Sequence, residues 1–274
     1  MAALIAGDDG LPADAVGAWS NDKHDRLRRY LDISRAARRR FLTGSSKTAT
    51  FVDLFCGPGR ARVRRTGGWI DGSAVAAWKI SREGGAPFSG VYVADIDSVR
   101  RAACVERLRR LDASVHELAG SAVEAATEFV KAVSRYGLHF AFLDPYNLGE
   151  LDFRIIRALA SLKRVDMLVH VSVMDLQRNL GANLDPDVMA FDQFAPGWRE
   201  NIDLKRGRFE IRRQVVEYWR KLVRELGKHP SDEMELITGE GGQRLYWLLL
   251  VAEHALAHKF WQATAGGKQT SLPF

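Results

Sequence analysis

Hydrophobic positions follow two alternating patterns along most of the chain. Short, nearly continuous apolar runs such as TATFVDLF (48–55), GVYVADID (90–97) and LHFAFLD (138–144) are typical of strands buried on both faces. Amphipathic segments with helical spacing separate these runs, including SVRRAACVERLRRL (98–111) and SAVEAATEFVKAVSRY (121–136). This βαβ rhythm predicts an α/β fold with a doubly wound, mostly parallel Rossmann-like sheet covered by helices on both faces.

The two ends of the chain do not follow this alternation of strands and helices. Residues 1–20 form a polar leader, which we treat as a candidate for disorder, and residues 21–42 predict one basic amphipathic helix. Helices inserted at about 175–227 precede MELITG (234–239) and RLYWLLLV (244–251). The glycine-rich turn between those two runs predicts an antiparallel hairpin at the sheet edge. Residues 21–274 are therefore predicted to form a single domain.

Composition narrows the compartment and the kinds of site. No run of about 18 apolar residues is present, and the N-terminus lacks the basic start and long apolar centre of a signal peptide, so we expect a cytoplasmic protein. The two cysteines, Cys56 and Cys104, make neither a disulfide framework nor a four-ligand zinc site. We therefore expect no metal, and we expect Cys56 to be a small packing residue.

The net charge of +6 is concentrated in one segment. Residues 23–65 hold 13 Lys and Arg against three acidic residues, a balance of +10, whereas residues 66–274 balance to zero. A single-sign patch of this kind predicts a polyanionic partner such as nucleic acid. A solvated helix face is the alternative.

The carboxyl ends of the predicted strands carry the candidate ligand-binding residues, because doubly wound sheets bind ligands at that edge. A glycine-rich turn follows the first strand and permits close approach to a nucleoside. An acid after the second strand suits ribose hydroxyls, and a hydroxyl after the third suits an adenine edge. The candidates for an adenosine-type cofactor are Asp53, Phe55, Gly57, Gly59, Asp95 and Ser121.

Several of these residues, taken singly, also have another interpretation. Asp95 follows the glycine turn by about 40 residues, more than the ~20 of a dinucleotide fingerprint, which argues against a nicotinamide cofactor. No lysine follows the glycines, which argues against a P-loop. Asp95 alone also suits a helix cap, and Asp144-Pro145 alone suits a turn. Single histidines on predicted strands, such as His170, are by default core or surface residues.

Taken together, the motifs resemble class I S-adenosylmethionine-dependent methyltransferases, especially those that methylate exocyclic amines of nucleic-acid bases. More narrowly, the chain resembles the three-Cys-motif partner protein family. The matching pieces are Lys23-His24, Tyr30-Leu31, FVDLFCGPGRAR, IDGSAVAA, FLDPYNL and Lys259-Phe260-Trp261. The resemblance implies S-adenosylmethionine as cofactor and a radical-S-adenosylmethionine-like cysteine-motif protein as partner, whereas the family's own activity is unassigned.

The resemblance also implies roles at the end of the fourth strand. Asp144 and the Pro145 carbonyl would accept the hydrogens of a base amine, and Tyr146 would stack on the base. The base-amine pattern has two prolines before its aromatic residue and this chain has one, so the alternative is a lapsed site in a nucleic-acid-binding or docking subunit. Covalent attack on cytosine is not supported, because Pro145 is followed by tyrosine and not by cysteine.

An arginine-rich stretch follows the glycine turn. About a dozen residues separate that turn from IDGSAVAA, and loops of this length are often functional. We predict that Arg60, Arg62, Arg64 and Arg65 bind nucleic acid at the mouth of the cofactor cleft. The alternative is that these arginines pair with acidic residues of this chain or of a partner protein.

Overall fold

The computed structural model describes residues 3–44, 48–239 and 241–265. The strands are β1 (Leu4–Ala6), β2 (Pro12–Val16), β3 (Ala49–Asp53), β4 (Arg60–Val63), β5 (Trp69–Asp71), β6 (Gly90–Ala94), β7 (Val115–Leu118), β8 (Leu138–Leu143), β9 (Val165–Ser172), β10 (His229–Thr238) and β11 (Arg244–Ala252). The helices are α1 (Trp19–Ile33), α2 (Arg35–Thr43), α3 (Ser73–Glu83), α4 (Ser98–Arg110), α5 (Ala122–Ala132), α6 (Phe153–Ala160), α7 (Val173–Arg178), α8 (Leu180–Asn183), α9 (Ala190–Phe194), α10 (Trp198–Asn201), α11 (Arg208–Glu225) and α12 (Ala255–Thr264).

A seven-stranded sheet forms the centre of the molecule, in the order β10-β11-β9-β8-β3-β6-β7. Strands β9, β8, β3, β6 and β7 pair in parallel, and every residue of β3 and β6 is buried, as their continuous apolar runs predict. Helices cover both faces, with one hydrophobic core on each side of the sheet. The predicted fold class is confirmed.

The predicted C-terminal hairpin is present, with β10 and β11 antiparallel. The hairpin lies at the sheet edge as predicted, with β10 outermost and β11 joined to the rest of the sheet by antiparallel pairing with β9. All but the first residue of β11 are buried, which suits an interior position better than an edge. The last strand is therefore inserted into the sheet, and β10 forms the edge.

The predicted helix over residues 21–42 is divided in two. Ser34 lies between α1 and α2, and its hydroxyl donates to the Leu31 carbonyl. The Arg38 guanidinium turns inward, where Nη1 donates to the same carbonyl and Nε donates to the Ala86 carbonyl. Serine competes locally for helical carbonyls, which explains a break that the hydrophobic spacing did not reveal.

A second sheet, in the order β1-β2-β4-β5, contains the polar leader and the arginine-rich stretch. Both segments thus adopt strands where the sequence suggested a leader prone to disorder and a loop. The carboxylate of Asp9 and the Leu11 and Pro12 carbonyls all accept hydrogen bonds from buried Arg107 of α4. Arg107 thus joins the leader to α4, as does Arg100 through its ion pair with Asp14.

The described residues lack two kinds of feature. No helix among them combines the length and apolar character needed to cross a membrane. The same residues contain no group of three His, Cys, Asp or Glu side chains that could hold a metal ion.

Candidate functional site

The candidate site lies where the central sheet reverses its direction of winding. From β3 the chain continues outward to β6 and β7, and then returns to the other side of β3 to form β8. Ligands of doubly wound sheets bind at the carboxyl ends of the strands beside such a reversal. The glycine turn after β3, Asp95 after β6 and Asp144 after β8 all lie at that edge.

The glycine turn and the later IDGS motif form one unit. Gly57 and Gly59 have φ values of +55° and +80°, which favour glycine. The Gly72 amide donates to the Gly59 carbonyl at 2.8 Å, and a Cβ on Gly72 would lie 2.7 Å from the Gly59 Cα. Close backbone contact therefore explains the glycine at position 72, and the positive φ explains the glycine at position 59.

Asp53, at the end of β3, holds this turn in place through hydrogen bonds. It is fully buried, and its carboxylate accepts hydrogen bonds from the Ser73 hydroxyl and from the Phe55 amide. Burial raises the pKa of Asp53 to about 7, although both hydrogen bonds act in the opposite direction. Asp53 is thus a structural support of the turn. Phe55, two residues later in the chain, is half-buried.

The raised pKa of Asp53 predicts a pH dependence of stability. The folded state keeps a proton that the unfolded state, with an Asp pKa of about 3.9, releases. This contribution is complete below about pH 4 and is lost as the pH rises towards 7. In Asp53→Asn, we expect the free energy of unfolding to depend less on pH across that window, as measured by urea titration. An unchanged slope would contradict the assignment.

Asp95 links the ends of β3 and β6. Its carboxylate accepts hydrogen bonds from the amides of Gly57 at 3.0 Å and Asp97 at 2.9 Å. Asp97 caps α4. Asp14 of β2 also lies here, 3.3 Å from the position of a Cβ on Gly57. Asp14 pairs with Arg100 of α4, and burial raises the pKa of Asp14. The Asp95 carboxylate has lone pairs beyond its two backbone contacts, which suit a hydroxyl donor.

Ser121, which was predicted to bind the cofactor, lies at the start of α5. It is the N-cap of α5, with its hydroxyl accepting from the Glu124 amide at 3.3 Å and donating to the Glu124 carboxylate at 2.8 Å. The Ser121 amide also donates to that carboxylate. This reciprocal capping box engages the hydroxyl that the sequence analysis assigned to an adenine edge.

Asp144, at the end of β8, is the centre of a polar cluster that we call the Asp144 cluster, formed with Lys23, His170 and Tyr246. Lys23 of α1 pairs with one carboxylate oxygen, and the other lies 2.6 Å from His170 Nδ1 on β9. Burial would raise the pKa of Asp144, but Lys23 and His170 together hold it below its usual range. Asp144 is therefore an anion at neutral pH.

The rest of the cluster is poorly supplied with hydrogen-bond partners. The rings of Tyr246 and His170 lie 3.9 Å apart between centroids, and burial lowers the pKa of His170. The buried Tyr246 hydroxyl and His24 Nδ1 make no hydrogen bond among the described residues. Native proteins rarely leave buried polar atoms unpaired without a functional reason. The Tyr246 hydroxyl and Nδ1 of His24, the residue that follows Lys23 in α1, are therefore available for hydrogen bonds with a ligand.

Sequence reasoning did not find Lys23 or His170 as site residues. Lys23 belongs to a piece that matches the resembled family but was given no role, and His170 was a single histidine on a strand. The signal available was position, since His170 lies next to Asp144 on neighbouring strands near the same sheet edge. Pro145 is buried, and Tyr146 is 68% exposed, with its amide donating to Glu150.

The arginine-rich stretch forms a hairpin of β4 and β5. Arg60 is held between two carboxylates, Asp8 at 2.6 Å and Asp71 at 2.8 Å, as the alternative of internal pairing predicts. Arg62 lies over the Trp69 ring and donates to the Gly67 carbonyl. Arg64 and Arg65 are exposed. Arg62, Arg64 and Arg65 are therefore the arginines of this hairpin that could contact nucleic acid.

Both cysteines are buried and unoxidised. The Cys56 thiol donates to the Gly57 carbonyl at 3.3 Å, and burial raises its pKa well above the usual value. A buried thiol of raised pKa is a poor nucleophile. This environment agrees with a packing role for Cys56.

Solved structures with a related backbone include the protein LPL1258 from Legionella pneumophila str. Philadelphia 1. It is 10% identical, with a TM-score of 0.51, and the match covers 90% of this chain and 94% of that chain. The chain has a Rossmann-like α/β fold. The 10% identity shows the fold alone.

Two O-methyltransferases resemble the chain more weakly. TomG from Streptomyces achromogenes, in complex with S-adenosylmethionine, is 14% identical with a TM-score of 0.47, and the match covers 84% of this chain and 78% of that chain. The enzyme from Bacillus cereus is 9% identical with a TM-score of 0.46, covering 82% and 80%. No family model and no curated protein matches the sequence.

Proposed function

We propose that the protein is an S-adenosylmethionine-dependent methyltransferase. The observation that carries the proposal is that the glycine turn, Asp95 and Asp144 meet at the edge where the sheet reverses its winding. Gly57 and Gly59 would lie against the nucleoside, Asp95 would accept hydrogen bonds from its ribose, and Asp53 would hold the turn in shape. The cofactor would supply an activated methyl group beside the Asp144 cluster.

The acceptor that we propose is an exocyclic amine of a nucleic-acid base. Asp144 is ionised and retains lone pairs beyond its contacts with Lys23 and His170, so it can accept an amine hydrogen. The Pro145 carbonyl would accept the second hydrogen, and the exposed Tyr146 ring would stack on the base. Positioning of this kind supplies much of the rate enhancement for a transfer that needs little acid or base chemistry.

A second candidate is a lapsed methyltransferase-like subunit that binds nucleic acid or docks to a radical-S-adenosylmethionine-like cysteine-motif protein, in line with the narrower family resemblance. Both oxygens of Asp144 are already engaged by side chains of this chain. Both oxygens of Asp95 are engaged by backbone amides. This prior occupation favours a structural role for the two acids.

Calorimetry with S-adenosylmethionine tests the cofactor site. We expect binding by the wild type, and at least a tenfold weaker Kd for Asp95→Asn, since lost charge-assisted hydrogen bonds cost about 1.5–3 kcal/mol. Asp187→Asn, at an exposed acid on the inserted region, is the matched control. Absence of binding, or equal binding by the Asp95 variant, would overturn the cofactor assignment.

Methyl transfer is tested separately from cofactor binding. Nucleic acid incubated with the protein and isotopically labelled S-adenosylmethionine should gain a labelled methyl group, found by mass spectrometry of its nucleosides. Asp144→Asn should abolish the label while S-adenosylmethionine still binds. Binding without transfer to DNA or RNA would select the docking candidate instead.

A further inference from the structure

A large groove lies at the opposite edge of the sheet from the Asp144 cluster. It opens at the amino ends of β8 and β9, between α2 and the start of α12, and has a volume of about 1220 Å³. Small-molecule sites usually measure about 300–1,000 Å³, so this space suits a larger ligand. We call it the basal groove.

Positive charge dominates the wall of the basal groove. Arg38, Arg40, Lys163 and Arg164 line it, against the two acids Asp166 and Glu253. Glu253 is already paired with Lys228 at 2.8 Å, and Asp166 accepts a hydrogen bond from Tyr30 at 2.8 Å. The negative charge in the groove is therefore largely engaged by groups of the protein itself.

The cations of the groove are not neutralised in the same way. Arg40, Lys163 and Arg164 are exposed, and none of them forms an ion pair with another residue in the described ranges. Arg38 is 2% exposed, its two recorded acceptors are backbone carbonyls, and its Nη2 has no partner among the described residues. By contrast, Arg26, Arg35 and Arg60 of the same basic segment pair with carboxylates.

Aromatic rings alternate with these cations. Tyr136 is 59% exposed, with Lys163 Nζ 5.8 Å from its ring centroid, and the Phe41 ring lies 5.3 Å from the Arg164 guanidinium. Phe260 adds a third ring to the lining. Residues at the start of α12, His254, Ala255 and Leu256, also line the groove.

We propose that the basal groove binds single-stranded nucleic acid, with Arg40, Lys163 and Arg164 on phosphates and Tyr136 stacked on a base. A positively charged channel that carries exposed aromatic rings is the design shared by proteins that hold single strands without reading sequence. An acidic protein partner would use the charge but would leave the exposed ring without a role. This inference does not rest on methyl transfer, because the two sites lie at opposite edges of the sheet.

The test is fluorescence anisotropy with labelled single-stranded RNA and DNA of about 12 nucleotides, over roughly 50 to 200 mM salt. Three phosphate contacts at about 0.7 each predict a slope of log K against log salt near −2 for the wild type. The double variant Arg40→Glu, Lys163→Glu should bind at least tenfold more weakly, with a slope near −0.7. Arg109→Glu, Lys131→Glu, at exposed cations elsewhere, makes the same change in net charge and should bind as the wild type does.

A second variant separates stacking from charge. Tyr136→Ala should weaken binding about tenfold while leaving the salt slope unchanged. Equal loss of binding in both double variants would show that only net charge matters, and would overturn the site. Failure of the wild type to bind single strands, or binding of an acidic peptide with no effect of Tyr136→Ala, would overturn the nucleic-acid assignment. Calorimetry with S-adenosylmethionine on the same variants reports separately on the proposed cofactor site, and its binding should be unchanged.

Discussion

Replacing Lys23 with methionine should lower the free energy of unfolding by about 3 kcal/mol at pH 7. The side chains of Lys23 and Asp144 are 13% and 18% exposed, so the variant would leave a largely buried carboxylate with a neutral histidine as its remaining side-chain partner. Some water access remains, which places the expected loss at the lower end of the range for buried pairs. Chemical denaturation of the wild type and Lys23→Met measures it.

The pH dependence of this loss identifies its cause. The pKa of Asp144 is depressed in the folded state, so its stabilising contribution is present above the unfolded pKa of about 3.9 and is lost as the pH falls through the folded pKa. The difference between Lys23→Met and the wild type should therefore narrow below pH 4. Adding Asp144→Asn to the variant should recover part of the loss, whereas Lys131→Met on exposed α5 should cost little. A pH-independent difference would contradict the ion-pair explanation.

Replacing Arg107 with methionine should cost a similar amount, about 3 kcal/mol, because several buried hydrogen bonds to one charged group are lost together. Arg107 is 4% exposed and donates to both oxygens of Asp9 at 2.7 Å, to the Pro12 carbonyl at 2.7 Å and to the Pro58 carbonyl. The first two partners belong to the leader and the third to the glycine turn. Loss of this side chain should loosen the start of the leader, while the pair of Arg100 with Asp14 still joins β2 to α4.

Limited proteolysis reads out that release directly. Cleavage within residues 7–17 should be faster in Arg107→Met than in the wild type, while cleavage of the central domain changes less. Asp9, whose pKa the hydrogen bonds from Arg107 lower to about 2, should titrate closer to 3.9 in the variant. Arg109→Met, at an exposed position on the same helix, is the control. Equal protection of the leader in both variants would show that strand pairing and the other ion pairs of the leader hold it without Arg107.

The central sheet could be predicted because its information is local. Each strand of β3, β6 and β8 is a continuous apolar run, and each is followed by a segment with helical spacing. The hairpin of β10 and β11 was likewise marked by two apolar runs about a glycine turn. The insertion of β11 beside β9 was not visible, because strand order depends on packing between distant segments.

The second sheet and the Asp144 cluster depend on contacts that local patterns do not contain. Strands β1, β4 and β5 are three or four residues long, too short for an alternating pattern to be recognised. Lys23 and Asp144 are 121 residues apart, and Arg107 and Asp9 are 98 apart. The sequence suggests candidate site residues where a glycine or an acid follows a strand. Lys23 and His170, which set the charge state of Asp144, lie on other elements of the chain.

The contact between Gly59 and Gly72 has a consequence for how the protein can be altered. The chain leaves the central domain at Gly59 and re-enters it at Gly72, and a single backbone hydrogen bond of 2.8 Å joins the two points. The ends of the twelve-residue segment between these glycines are thus in contact. The entropy cost of closing such a loop grows only slowly with its length. Because β4 also pairs with β2, the turn at residues 64–68 is the part of this hairpin where a shorter or longer segment would leave both sheets intact.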